Sequence, residues 1–95
     1  MATRAAYANR LEAQLKLWDA EIAVWSAKAD KASASARLRY ESELDSLRSK
    51  RAVAHRKLEL LSRRSDDAWE DLKDGAERTW KEMGRAMEKA AARFL

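Results

Sequence analysis

Few side chains in this sequence are spaced for catalysis or metal binding. The single histidine, His55, shares a helical face with Glu59, a spacing at which two side chains can contact one metal ion. Di-metal helical sites use Glu-x-x-His, but Ala52 stands three residues before His55. The sequence has no cysteine, no Gly-rich phosphate loop and no nucleophile with an evident base. These features predict a non-enzymatic protein with no catalytic residue, metal, cofactor or small-molecule substrate.

A basic run in the middle of the chain is the other candidate for chemistry. Such a run can bind the phosphates of nucleic acid or an anionic membrane surface. The favoured interpretation is instead a solvated helix flank that faces an acidic helix. Residues 1–65 carry fourteen basic and eight acidic side chains, whereas residues 66–95 carry six basic and eight acidic side chains. The run itself holds no aromatic residue for base stacking. The candidate anion-binding flank consists of Arg48, Lys50, Arg51, Arg56, Lys57, Arg63 and Arg64.

The composition favours an all-α fold in a single helical coiled-coil domain, residues 1–95. The chain has no proline, only two glycines and 38% charged residues. A chain of 95 residues buries a thin core, and the absence of cysteine excludes disulfides as a supplement. Association with another chain is therefore the expected source of further buried area.

A heptad pattern of apolar residues begins near the amino end. The spacings alternate strictly between four and three, which is typical of a coiled-coil seam. Bulky residues lead into alanines, which let two helices approach closely. This self-association seam consists of Leu11, Leu15, Trp18, Ile22, Trp25, Ala29, Ala32 and Ala36.

The alanine-rich segment between residues 30 and 36 allows two architectures. Alanine is the best helix former, and no glycine or proline marks a bend, so we expect one long helix over about residues 4–63. A shorter antiparallel helix over about 66–94 would then complete a helical hairpin and leave the seam for another chain. In the alternative, the turn-prone Asp30, Ser33 and Ser35 break the helix and give a spectrin-like three-helix bundle.

A clearer boundary precedes the last helix. Ser65 is a good N-cap, Asp66 and Asp67 suit a helix N-terminus, and Arg63 and Arg64 suit a C-terminus. In the following helix, Trp69 and Trp80 are eleven residues apart, an interval of three helical turns. It is also amphipathic enough to be considered a membrane-surface helix. The predicted intrachain hairpin core consists of Tyr40, Leu44, Leu47, Ala54, Leu58, Leu61, Trp69, Leu72, Ala76, Trp80, Met83 and Met87.

Four segments together resemble a group of small bacterial coiled-coil proteins of the stress-response-like type. The segments are YANRLEAQLKLWDAEI, KADKA, ARLRYESELDSLRSKR and SDDAWEDLKDGAERTW. Trp25 departs from the pattern, which has an aliphatic residue at that position. The resemblance implies neither an enzymatic activity nor a cofactor. The matching positions are Tyr7, Leu15, Trp18, Tyr40, Leu47, Lys57, Leu58, Ala68, Trp69, Leu72, Gly75, Trp80 and Phe94.

The expected function is therefore that of a structural or interaction protein that forms a dimer or higher homo-oligomer, with a stress-related role. The longest uncharged run, 22–27, is too short to cross a membrane, and the first ten residues lack the apolar core of a secretory signal. A cytoplasmic location is the default expectation. The alternative is a peripheral membrane-surface or nucleic-acid-binding protein that uses the basic flank 48–64 and the amphipathic helix 66–94.

Overall fold

The part of the chain that the structure describes is all-α and forms three helices. The computed structural model describes residues 4–63 and 66–94; the predicted N-cap Ser65 and the flank residue Arg64 lie outside them. The described residues contain no strand and fill a rod of 51 × 18 × 18 Å. The helices are α1, α2 and α3, which span Arg4–Asp30, Ala34–Arg63 and Asp66–Arg93.

The predicted single helix over residues 4–63 is wrong, because the chain turns at residues 31–33. The alternative, a break within 30–36, matches the three helices of the structure. Continuity is expected from the helix propensity of alanine and from the absence of glycine and proline. This turn needs neither, since no described residue other than glycine has a positive φ.

Side-chain and backbone hydrogen bonds make the turn without a special backbone conformation. The N–H of Lys31 donates to the carbonyl of Lys28 at 3.2 Å, a tightening typical of a helix end. Ser33 is the N-cap of α2, because its Oγ accepts a hydrogen bond from the backbone N–H three residues on at 3.5 Å. Arg37 donates to the carbonyl of Asp30 at 2.7 Å, which satisfies a free carbonyl at the end of α1.

Folding back at this turn buries the bulky side of α1 against the other two helices. Tertiary burial of this kind overrides local helix propensity. Because α1 and α3 each run antiparallel to α2, they run parallel to each other. The buried core consists of Tyr7, Leu11, Leu15, Trp18, Ile22, Trp25, Ala29, Leu44, Leu47, Ala54, Leu58, Leu61, Ala76, Trp80, Met83, Ala86, Met87, Ala90 and Phe94.

Aromatic pairs hold the parallel helices α1 and α3 in step. Tyr7 meets Trp69 edge to face with ring centroids 5.6 Å apart, and Trp18 meets Trp80 at 6.1 Å. Trp69 and Trp80 of α3 are eleven residues apart, and their partners in α1, Tyr7 and Trp18, are also eleven residues apart. At the far end the ring of Phe94 stacks on Trp25 at 5.3 Å. Such pairs contribute about 0.5–1.5 kcal/mol beyond the area they bury.

Polar contacts at the core border fix each helix against its neighbours. Arg51 donates two hydrogen bonds to the carboxylate of Asp19, at 2.7 and 2.9 Å, and so joins α2 to α1. Arg93 of α3 contacts Glu43 of α2 at 2.7 Å. A hydrogen bond from Lys28 to the carbonyl of Phe94 closes α1 against the end of α3.

Candidate interaction surface

The predicted self-association seam lies mostly inside the bundle. Its first six members, from Leu11 to Ala29, are buried by the chain itself, and Ala32 and Ala36 are half-buried beside the turn. The reason for expecting a second chain on these residues therefore no longer applies. Self-association itself stays a prediction, and any interface must use other residues.

A second apolar stripe lies on the opposite side of α1 and faces solvent. Its members recur at spacings of four, three, four and three, the same heptad pattern as the core seam. Leu17 and Val24 are 60% and 64% exposed, which is far from the environment of a core residue. We call this surface the outer stripe; it consists of Ala13, Leu17, Ala20, Val24 and Ala27, all exposed.

The outer stripe is opposite the core because of helix geometry. Successive residues are rotated by about 100°, so Leu17, Ala20 and Val24 cluster on one side and the buried Trp18 and Ile22 on the other. From Ala13 to Ala27 the stripe is roughly 21 Å long. Helices that are apolar on all sides are normally buried on all sides. The outer face of α1 is therefore the candidate interaction surface.

Charged side chains border the outer stripe on both sides. Lys16 and Asp30 lie on the side toward α2, and Glu21 and Lys28 on the side toward α3. All four residues are exposed. Lys16 has only a loose partner within the helix, Glu12, with 3.8 Å between nitrogen and oxygen. These borders give the surface charges of both signs.

The predicted hairpin core lies between the helices. Tyr40, Trp69 and Leu72 are half-buried and pack against the core, and the other nine predicted members are buried. The amphipathic face proposed for a membrane surface includes Trp80, Met83 and Met87, and these side chains face α1 and α2 in the folded chain.

The predicted anion-binding flank is not a single patch. Arg51 is bound to Asp19, and Arg48 donates to Ser26 and contacts Asp45. Lys57 is half-buried on the side of α3, whereas Arg56 and Arg63 are exposed. Lys50 lines a shallow groove whose other lining residues are Glu82, Arg85, Ala86 and Lys89.

The pair considered for metal binding forms an ordinary side-chain contact. Nε2 of His55 lies 2.7 Å from the carboxylate of Glu59 on the exposed side of α2. Within residues 4–63 and 66–94 no group of three or more His, Cys, Asp or Glu residues is arranged to hold a metal ion.

The groove between α1 and α3, of about 500 Å³, is lined by Trp18, Trp80 and Met87 among others.

Two ionisable groups at the core border have shifted pKa values. Burial raises the pKa of Tyr7, and the nearby carboxylate of Glu77, which accepts a hydrogen bond from its hydroxyl at 3.4 Å, raises it further. The hydrogen bonds to Asp19 raise the pKa of Arg51 more than burial lowers it. Both shifts reflect contacts between helices, Tyr7 with Glu77 of α3 and Arg51 with Asp19 of α1.

The outer stripe is a feature that the sequence interpretation missed, although its signal is present. The spacing from Ala13 to Ala27 is as regular as that of the seam, but three of its five members are alanine. Leu17 and Val24 each stand next to a tryptophan of the seam, Trp18 and Trp25, whose spacing dominates the pattern. In the described part of the chain, no helix is both long enough and apolar enough to cross a membrane.

Comparisons with known proteins return no relative. No family model, no curated protein sequence and no solved structure matches the chain. The functional interpretation therefore depends on the surface of the molecule.

Proposed function

We propose that this protein is a non-enzymatic helical interaction module that self-associates through the outer stripe of α1. The proposal keeps the predicted homo-oligomer but moves the interface from the buried seam to exposed residues. A cytoplasmic location and a stress-related role, the latter from the family resemblance alone, belong to the same proposal. It requires neither a cofactor nor a small-molecule substrate.

The observation that carries the proposal is the exposure of an uninterrupted heptad stripe. Along the stripe no charged residue separates Ala13 from Ala27, and alanines at every second position let another helix approach closely. An apolar helix face of this kind is more stable against another helix than in water. Because each copy contributes only five apolar residues, the interface is small, and we expect weak, concentration-dependent binding.

Light scattering coupled to size exclusion, run over a hundredfold range of protein concentration, tests the proposal. The wild-type mass should rise from that of one chain, 10.9 kDa, toward that of two. Leu17→Lys should keep the mass at the single-chain value at every concentration, because a charge within the stripe would be buried without a partner. A wild-type protein that stays monomeric throughout contradicts the proposal.

Leu38→Lys is the matched control. Leu38 is 72% exposed on α2 and lies between Arg37 and Arg39, away from the stripe. The substitution makes the same change of side chain at a similar exposure. It should leave the concentration dependence of the mass unchanged. Loss of association in both variants would show that net charge, and not the stripe, controls the mass.

Anion binding at nucleic acid or a membrane is the second candidate function. It is favoured by the groove in which Lys50 of α2 joins Arg85 and Lys89 of α3, although Glu82 lies in the same groove. Co-sedimentation with vesicles of anionic lipid and a DNA mobility-shift titration at two salt concentrations test it. Binding that weakens with salt and with Lys50→Glu supports this function.

A further inference from the structure

We infer that the occupant of the outer stripe is a second copy of this chain with its α1 helix antiparallel. The inference rests on the proposed function and adds the partner, its direction and its register. Large and small residues alternate along the stripe, with Leu17 and Val24 between the alanines. A helix with this alternation complements itself when each large side chain meets a small one.

The antiparallel direction provides that match. When Leu17 lies level with Ala27 of the second copy, Val24 lies level with Ala20 of the second copy, and the two-fold axis repeats both contacts. In the four layers between residues 17 and 27 each large side chain then meets an alanine, so these layers have similar widths. Ala13 lies level with Lys31 of the second copy, beyond the stripe. A parallel pair instead stacks Leu17 on Leu17 and Ala20 on Ala20, which gives alternating wide and narrow layers.

Charge at the border of the stripe distinguishes the two directions. Lys16 comes to lie beside Asp30 of the second copy, offset by two residues or roughly 3 Å along the axis. The two-fold axis repeats this pair, so the dimer contains it twice. The register also brings the two Glu21 carboxylates near the axis, a like-charge contact that weakens the dimer. A parallel pair would instead place Lys16 beside Glu21 of the second copy. The two directions therefore differ in the partner of Lys16.

A charge-swap experiment measured by sedimentation equilibrium at low salt distinguishes the directions. Lys16→Glu should raise the dimer dissociation constant about tenfold, because two attractive pairs become repulsive. Adding Asp30→Lys to that variant should restore the wild-type constant to within about twofold. Adding Glu21→Lys instead should give no restoration. Circular dichroism should show the same helix content in all variants, since the substituted side chains are exposed.

The outcomes separate this inference from the proposed function. A wild-type chain that sediments as a monomer at every concentration overturns both. A wild-type dimer that is unaffected by Lys16→Glu overturns the register. A dimer weakened by Lys16→Glu and restored by Glu21→Lys overturns the antiparallel direction and leaves self-association through the stripe intact.

Discussion

The outward faces of α1 and α3 occupy equivalent places in the bundle and differ in composition. Among the fifteen exposed residues of α1, eight are alanine, leucine or valine. Among the exposed residues of α3 between 70 and 93, Ala92 alone is uncharged. Both helices bury an aromatic face on the same core, so core packing does not explain the difference.

The contrast indicates what each helix requires beyond the bundle. An outward face of mixed charges, as in α3, is stable in water and needs no further partner. An outward face of alanine, leucine and valine gains free energy when another surface covers it. Folding alone therefore accounts for the charged outer face of α3, whereas the apolar outer face of α1 is the one that the proposed association would cover.

Among the substitutions considered, the largest loss of folding stability should come from the inner face of α1. Trp18→Ala should lower the free energy of unfolding by about 3–5 kcal/mol, because the side chain is buried against Trp80. Leu17→Ala, one residue away on the outer stripe, should change it by less than about 0.5 kcal/mol. Urea titration at a protein concentration below dimerisation measures both values. Equal losses would show that the outer stripe belongs to the core.

The polar border between α1 and α2 should contribute less. Arg51→Ala should lower the free energy of unfolding by about 0.5–1 kcal/mol, since the two hydrogen bonds to Asp19 are lost from a half-exposed pair. The loss should shrink in high salt. Arg56→Ala, an exposed arginine of the same helix, is the control and should have no measurable effect. A loss that does not change with salt would point to packing rather than charge.

Gly84 tests whether close packing between α1 and α3 requires a glycine. A Cβ at this position would lie 3.9 Å from the Trp18 ring, an ordinary contact. Gly84→Ala should therefore raise the free energy of unfolding by about 0.5–1 kcal/mol through helix propensity. Thermal unfolding followed by circular dichroism measures the change. A decrease would mean that α1 and α3 lie closer together than the structure shows.

The smallest effect concerns Tyr7 and depends on pH. Since the pKa of Tyr7 is raised in the folded chain, the fold favours the neutral phenol. Its contribution to stability is therefore present at neutral pH and is lost as pH rises above about 10, where the unfolded chain ionises first. Tyr7→Phe should be slightly less stable than wild type at pH 7 and relatively more stable at pH 11. Parallel pH dependences would exclude this role.

Composition, helix-end residues and periodicity together predicted much of the fold. The all-α class follows from the composition and the position of α3 from the residues around its start. The two apolar seams follow from spacing, because burial on one face imposes that spacing. The turn at residues 31–33 could not be predicted with the same strength. Its stabilising contacts, such as Arg37 with the carbonyl of Asp30, join residues whose proximity exists only after folding. Alanine in this segment favours a helix locally, and burial of the tryptophans favours the turn.

The candidate surface was harder to predict than the core. Alanine is compatible with both a buried and an exposed position, so the spacing from Ala13 to Ala27 does not identify a surface by itself. The sequence already places Trp18 and Ile22 on an apolar seam. The structure adds that this seam is buried within the chain, so that the opposite face is the apolar surface left for a partner. The surface is thus a consequence of the turn, which leaves one side of α1 without a neighbour in the described chain.

Sedimentation equilibrium of a doubly charged variant tests the role of the outer stripe most directly. Wild type, Leu17→Lys/Val24→Lys and the control Leu38→Lys should be compared over the same concentrations. The account predicts a reversible dimer for wild type and for the control, and a monomer of unchanged helix content for the double variant. A dimer that persists in the double variant would contradict it.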